Sequence, residues 1–155
     1  MDSLEIKVDK WTFRVPRNLL YNENDFWVRK VGNVATVGIT DFLQNASGDI
    51  IFANTPTPGT KIEQFDEAGS YESAKITIDV ISPVSGAVIG GNPELETAPE
   101  LANTDPYGKG WFLQIELSNF ESDRENLVDA EAYFESMKRK IEKEREKLKQ
   151  RLAKT

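Results

Sequence analysis

A chain of 155 residues with 26 acidic and 19 basic side chains carries a formal charge of −7, which argues against nonspecific nucleic-acid binding. It contains no cysteine and no histidine, so a disulfide framework, a thiolate metal site, the commonest metal ligand and the commonest general base are excluded, while an enzyme working through carboxylates stays open within narrow options. The length fits one domain with a real core, no apolar run is long enough to span a bilayer, and Met1-Asp2-Ser3-Leu4-Glu5 lacks the basic and apolar regions of a secretory signal, so a cytoplasmic protein without a membrane or nucleic-acid partner is expected.

Leu4, Ile6 and Val8, then Trp11, Phe13 and Val15, alternate as one or two N-terminal strands that Pro16 ends. Asn22-Glu23-Asn24-Asp25 is turn chemistry. Residues 26–30 and 33–39 predict a hairpin across Gly32-Asn33, a pair suited to positive φ. Thr40 or Asp41 caps a short helix over 42–46 that stops before Gly48. A strand follows at 49–53, then a loop at 55–60 stiffened by Pro56 and Pro58. The run 70–80 predicts a second hairpin with Ala74-Lys75 near its tip. Ile76, Ile78 and Val80 lie on one side of its pleat, Thr77 and Asp79 on the other. Residues 84–89 form a strand, 90–93 a turn, 98–102 a short helix and 111–117 the last strand. Short strands with frequent turns and no βαβ rhythm indicate an all-β sandwich or barrel.

From Asp129 the pattern becomes helical, with no Gly or Pro to the end of the chain. Phe134, Met137, Ile141, Leu148 and Leu152 leave one narrow apolar stripe, interrupted at Glu144 and Arg145. The expected division is therefore a β body over 1–128 and an amphipathic helix over 129–155. The body holds 10 basic and 20 acidic side chains, the helix 9 basic and 6 acidic, so the two pieces present different surfaces. The stripe is too short and broken for a coiled coil, and a monomer is expected. The helix either lies partly on the body and frays beyond it, or serves docking or dimerisation.

Lys75 is one of only three basic residues between Lys30 and Arg124, with Lys61 and Lys109. From pattern alone a lysine at a hairpin tip reads as a solvated charge or as an attachment point for a cofactor arm.

Glu72-Ser73-Ala74-Lys75, Asp79 and Pro83-Val84-Ser85-Gly86 resemble the lipoyl-lysine segment of the glycine cleavage H proteins. The segments 34–42, Gly48-Asp49-Ile50-Ile51-Phe52, Asp105-Pro106-Tyr107-Gly108-Lys109-Gly110-Trp111 and Asp129-Ala130-Glu131-Ala132-Tyr133 resemble further parts of that family, in order. The resemblance implies a mainly β, flattened barrel-sandwich of the lipoyl and biotinyl carrier type. It also implies a non-enzymatic carrier, with no catalytic residue and no metal site, and with lipoic acid joined by an amide to Lys75. Glu72, Ser73 and Asp79 are then expected to support the site. Biotin carriers usually place their lysine between two methionines, which Ala74 and Ile76 are not. The lipoyl domains of the 2-oxoacid complexes lack the later segments.

Two departures bear on cargo. The family's His-Glu-Trp beside the arm reads Asp25-Phe26-Trp27 here, so Trp27 persists while Phe26 replaces a carboxylate. The family also ends soon after Asp129-Ala130-Glu131-Ala132-Tyr133. An apolar wall at Phe26 favours an H-like lipoate-binding protein of sulfur oxidation, working beside a heterodisulfide-reductase-like complex. The alternative is a true H protein carrying an aminomethyl group from glycine decarboxylase to aminomethyltransferase, with dihydrolipoyl dehydrogenase reoxidising the arm. Either carrier needs lipoate ligase or lipoyl transferase. A structural interaction module using the C-terminal helix is a third reading.

Overall fold

The computed structural model describes residues 2–154; Met1 and Thr155, the ends of the two expected pieces, lie outside them. The chain opens with an antiparallel hairpin, β1 (Ser3–Val8) and β2 (Trp11–Pro16), turning at Asp9, whose φ is 59°. The body follows with β3 (Leu20–Tyr21), β4 (Phe26–Val31), β5 (Val34–Ile39), α1 (Asp41–Ser47), β6 (Ile50–Asn54), β7 (Lys61–Ile62), β8 (Glu67–Ser73), β9 (Thr77–Ile81) and β10 (Gly86–Gly91). Then come the one-turn helices α2 (Glu94–Thr97) and α3 (Leu101–Thr104), β11 (Leu113–Leu117), α4 (Phe120–Asp123) and the 24-residue α5 (Ala130–Ala153). The helix expected over 98–102 is displaced: two single turns flank Ala98, Pro99 and Glu100. A proline lacks the N–H to continue a helix and disfavours helical geometry in the residue before it.

The strands hydrogen-bond in three sheets: β1-β2, β3-β4-β5-β11-β10-β7 and β6-β8-β9. The mainly β architecture with a long C-terminal helix agrees with expectation, and among the described residues no barrel closes. The six- and three-stranded sheets share one core. Phe26, Val28, Val37 and Ile115 enter it from the larger sheet; Ile50, Tyr71 and Val80 enter from the smaller.

A second core lies outside the large sheet. Phe13 and Val15 of β2, Tyr21 of β3, Trp27 of β4, Phe42 of α1 and Tyr133, Met137 and Ile141 of α5 meet there. Its anchor is Trp27, fully buried. The indole N–H is shared between the carbonyls of Ile39 and Pro106, at 3.0 and 3.1 Å. Gly38 is the cross-strand partner of Trp27. A Cβ there would fall 2.6 Å from the indole ring, so only glycine lets the ring lie across β5.

Helix α5 begins where Asp129 accepts a hydrogen bond from the Ala132 N–H at 2.9 Å, a side-chain N-cap. Tyr133 stacks on Tyr21 with ring centroids 4.6 Å apart. Its hydroxyl donates to Asp25 Oδ1 at 2.7 Å, which leaves it to accept from the Thr40 hydroxyl at 2.9 Å. Lys140 Nζ reaches the same Asp25 oxygen at 2.8 Å and the Glu23 carbonyl at 2.7 Å. Burial, followed by the Asp25 charge, pushes the Tyr133 hydroxyl well above its ordinary pKa, so it remains a donor at any physiological pH. Beyond Ile141 the described helix residues are exposed. The apolar stripe thus serves the core as far as Ile141 and is surface from Leu148 onward.

Met137→Ala is expected to lower stability by about 2–5 kcal/mol, because the site is enclosed and a cavity would remain. Leu148→Ala is expected to stay within about 0.5 kcal/mol. Denaturant titration followed by circular dichroism measures both. Equal losses at the two positions would contradict this placement of the helix.

Candidate functional site

The hairpin at 70–80 folds around Ser73. β8 and β9 pair with Glu72 opposite Thr77 and Ser70 opposite Asp79. The Ser73 hydroxyl donates to the Ile76 carbonyl at 3.1 Å and accepts from the Ile76 and Lys75 amides at 3.1 and 3.3 Å. The Ser73 N–H also reaches the Ile76 carbonyl, at 2.8 Å. One side chain therefore holds three backbone groups of a tip that has no room for a ladder. The tip, Ala74-Lys75-Ile76, is exposed.

Alternation puts Glu72, Thr77 and Asp79 on the outer face of the three-stranded sheet, all exposed, while Tyr71 and Val80 are fully buried beneath. Ile78 packs partly on the same core. Ile76 departs from the expected inward side, because the chain is already turning there and the side chain is 46% exposed. Among the described residues no ion pair engages Lys75, Glu72 or Asp79. Lys75 thus offers a free amine on a rooted, paired scaffold, flanked by two carboxylates. An amide-linked arm requires an accessible amine of this kind, and the geometry fits it.

The lysine stem has a direction. Gly48, which ends α1 with φ at 79°, would place a Cβ only 3.6 Å from Lys75 Cε. The stem therefore lies over the C-terminal end of α1 and leans toward the second core. Lys61 and Lys109 are exposed elsewhere, on the edge strand β7 and in the 106–110 turn.

The two residues expected to stand beside the arm do not. Phe26 and Trp27 are 1% and 0% exposed and belong to different cores. The first half of β4, residues 26–28, is buried on both faces, so adjacent residues both disappear from the surface. Phe26 faces the apolar interior between the sheets and is no wall for an arm on Lys75, which corrects the reading that made it the ground for sulfur chemistry. Trp27 is a packing residue whose only polar atom is taken by two carbonyls. Asp25 is occupied by Tyr133 and Lys140. What the sequence did not single out is Gly48 under the stem, nor the placing of Trp11, Phe13 and Phe42 near Lys75; their alternation and capping motifs were visible, but not their convergence.

A sequence model of the family described as Glycine cleavage H-protein matches residues 19–140. A glycine cleavage system H protein of Symbiobacterium thermophilum is 44% identical over 119 residues, covering 77% of this chain and 92% of the relative. One from Marinobacter nauticus is 45% identical over 122 residues, covering 78% and 93%. The crystal structure of a glycine cleavage system H protein from Mycobacterium marinum superposes with a TM-score of 0.67 at 26% identity, covering 77% of this chain and 95% of that one.

Phe26→Glu is expected to lose several kcal/mol of stability, because it buries an unpartnered carboxylate between the sheets. Thermal melting checks this, and an unchanged melting temperature would return Phe26 to the surface and to the arm.

Proposed function

Because the chain belongs to the glycine cleavage H-protein family, we propose that it carries the aminomethyl group of glycine from glycine decarboxylase to aminomethyltransferase on a lipoyl arm rooted at Lys75. Proteins of this family are non-catalytic carriers that hold lipoate covalently on a lysine. They work with those two enzymes, with dihydrolipoamide dehydrogenase and with lipoate ligase. The bound group supplies the redox-active sulfurs that a chain without cysteine lacks. The protein supplies position. The observation that carries the assignment of Lys75 is its exposed, unpaired amine at a tip held by Ser73.

Each part of the hairpin has a proposed task. Ser73 fixes the turn, so the arm pivots from one point. Glu72 and Asp79 stand on the exposed face to guide the lipoylating enzyme and to hydrogen-bond the arm or its cargo. A carboxylate suits a charged amine cargo, since hydrogen bonds to charged groups contribute roughly 1.5–3 kcal/mol. Tethering raises the concentration of the sulfurs near a docked enzyme without a new contact. The residues before Asp129 act as the carrier body, and α5 is a helix whose first half completes the second core. Among the described residues no helix is long and apolar enough to cross a membrane.

Glycine as the source of cargo is favoured over sulfur species by two observations. The relatives named above are glycine cleavage H proteins. The apolar wall invoked for sulfur is in the interior instead.

The experiment is lipoylation followed by glycine-dependent loading. Incubation with lipoate ligase is expected to add one lipoyl group, mapped by peptide mass to Lys75 and absent from Lys75→Arg. The lipoylated chain should then support glycine decarboxylation by a decarboxylase that accepts foreign carriers. An adduct on Lys61 or Lys109 would overturn the site. Normal lipoylation without loading would overturn the glycine reading.

A further inference from the structure

We propose that two segments outside the family match, within residues 8–13 and 141–151, build a subsite that holds the sulfur end of the arm on Lys75 in its reduced, dithiol form. The proposal rests on the lipoyl-carrier reading above and adds a resting place for the arm.

A groove of about 360 Å³ runs between the β1-β2 hairpin, α1 and the far half of α5, with Lys75 in its lining. That size is at the lower end of small-molecule sites, about 300–1,000 Å³. Of its twelve lining residues nine lie outside 19–140. The Symbiobacterium relative is already matched over 92% of its length, which leaves it little chain for both walls. The floor is apolar: Phe13, Phe42 and Ile141 are 5%, 8% and 6% exposed. The rim is mixed: Trp11 and Leu148, at 47% and 53% exposure, stand among the charged side chains of Asp9, Glu144, Arg145 and Arg151. An ion pair between Asp9 and Arg145, at 3.8 Å, joins the hairpin turn to the helix across the groove.

Three features point to the arm as occupant. Lys75 is part of the groove, and its stem already leans over Gly48 on that side. A tethered group is present there at high local concentration, while a free ligand is not. The aromatic lining suits divalent sulfur, which makes favourable contacts with ring edges. Leu148 and the part of Trp11 not under the Lys10 ammonium, exposed apolar surface among charges, would be covered. In this arrangement the two thiols rest against the extensions and leave them when a partner enzyme docks.

The test uses the full chain, lipoylated and reduced with a phosphine. The two thiols are alkylated with limiting iodoacetamide and followed by intact mass. Wild type is compared with Trp11→Ala, with Leu148→Lys and with Val31→Lys, a control at a residue 71% exposed on β4. Melting curves establish that each is folded; the rim positions are half exposed, so substitution there spares the core. Alkylation is expected to be roughly tenfold faster in either rim variant, the factor that corresponds to about 1.4 kcal/mol of lost contact. The control should match wild type. Wild-type thiols reacting as fast as free dihydrolipoamide, or rim variants reacting like wild type, would overturn the subsite and leave the carrier reading standing. A missing lipoyl adduct on Lys75, seen by mass before any alkylation, would overturn both.

Discussion

The burial of the first half of β4, residues 26–28, on both faces is the constraint from which the rest of the arrangement follows. A strand at a sheet surface normally turns one face to water, and its period-two pattern then separates inside from outside. Here Phe26 and Val28 face the interior between the sheets, while Trp27 faces outward into a second apolar layer. An outward tryptophan needs cover. Part of the cover comes from Tyr107, whose ring centroid lies 6.2 Å away, and from Arg29, 4.9 Å over the indole. The rest of the layer comes from opposite ends of the chain, the β1-β2 hairpin and the first three turns of α5.

That cover is specific as well as apolar. The Trp27 N–H is satisfied by two carbonyls, and Asp25 is satisfied by a tyrosine hydroxyl and a lysine ammonium from α5. A buried carboxylate without partners would be costly. Asp25 is therefore a reason why α5 docks in one register: Tyr133 and Lys140, seven residues apart, project from the same side of the helix onto one oxygen. The helix is aimed by this contact, and its continuation past Ile141 passes beside the Lys75 hairpin. Terminal segments that close a second core thus also shape the surroundings of the proposed attachment lysine.

The hairpin itself depends on almost none of this. Its turn is made by Ser73 within its own sequence, and its direction by pairing with β6 and β9. A rooted tip beside a longer-range construction is a sensible division for a carrier. The pivot must be rigid, while what surrounds the arm decides where it rests.

The sequence by itself determined the local features. The hairpin turn at Gly32-Asn33, the Thr40 cap of α1, the Asp129 cap of α5 and the exposed tip at Lys75 each follow from turn or cap chemistry within a few residues. The ordered motifs from 34 to 133 also carried the family resemblance. Tertiary structure alone decided that Phe26 is interior. When both faces of a strand are buried, both parities read as apolar, and the residue type no longer tells which side a side chain takes. It also decided that Trp11, Phe13, Ile141 and Leu148 meet around Lys75. Each segment shows its apolar face in sequence, but the partner of that face lies more than a hundred residues away, and no local propensity encodes a pairing at that distance.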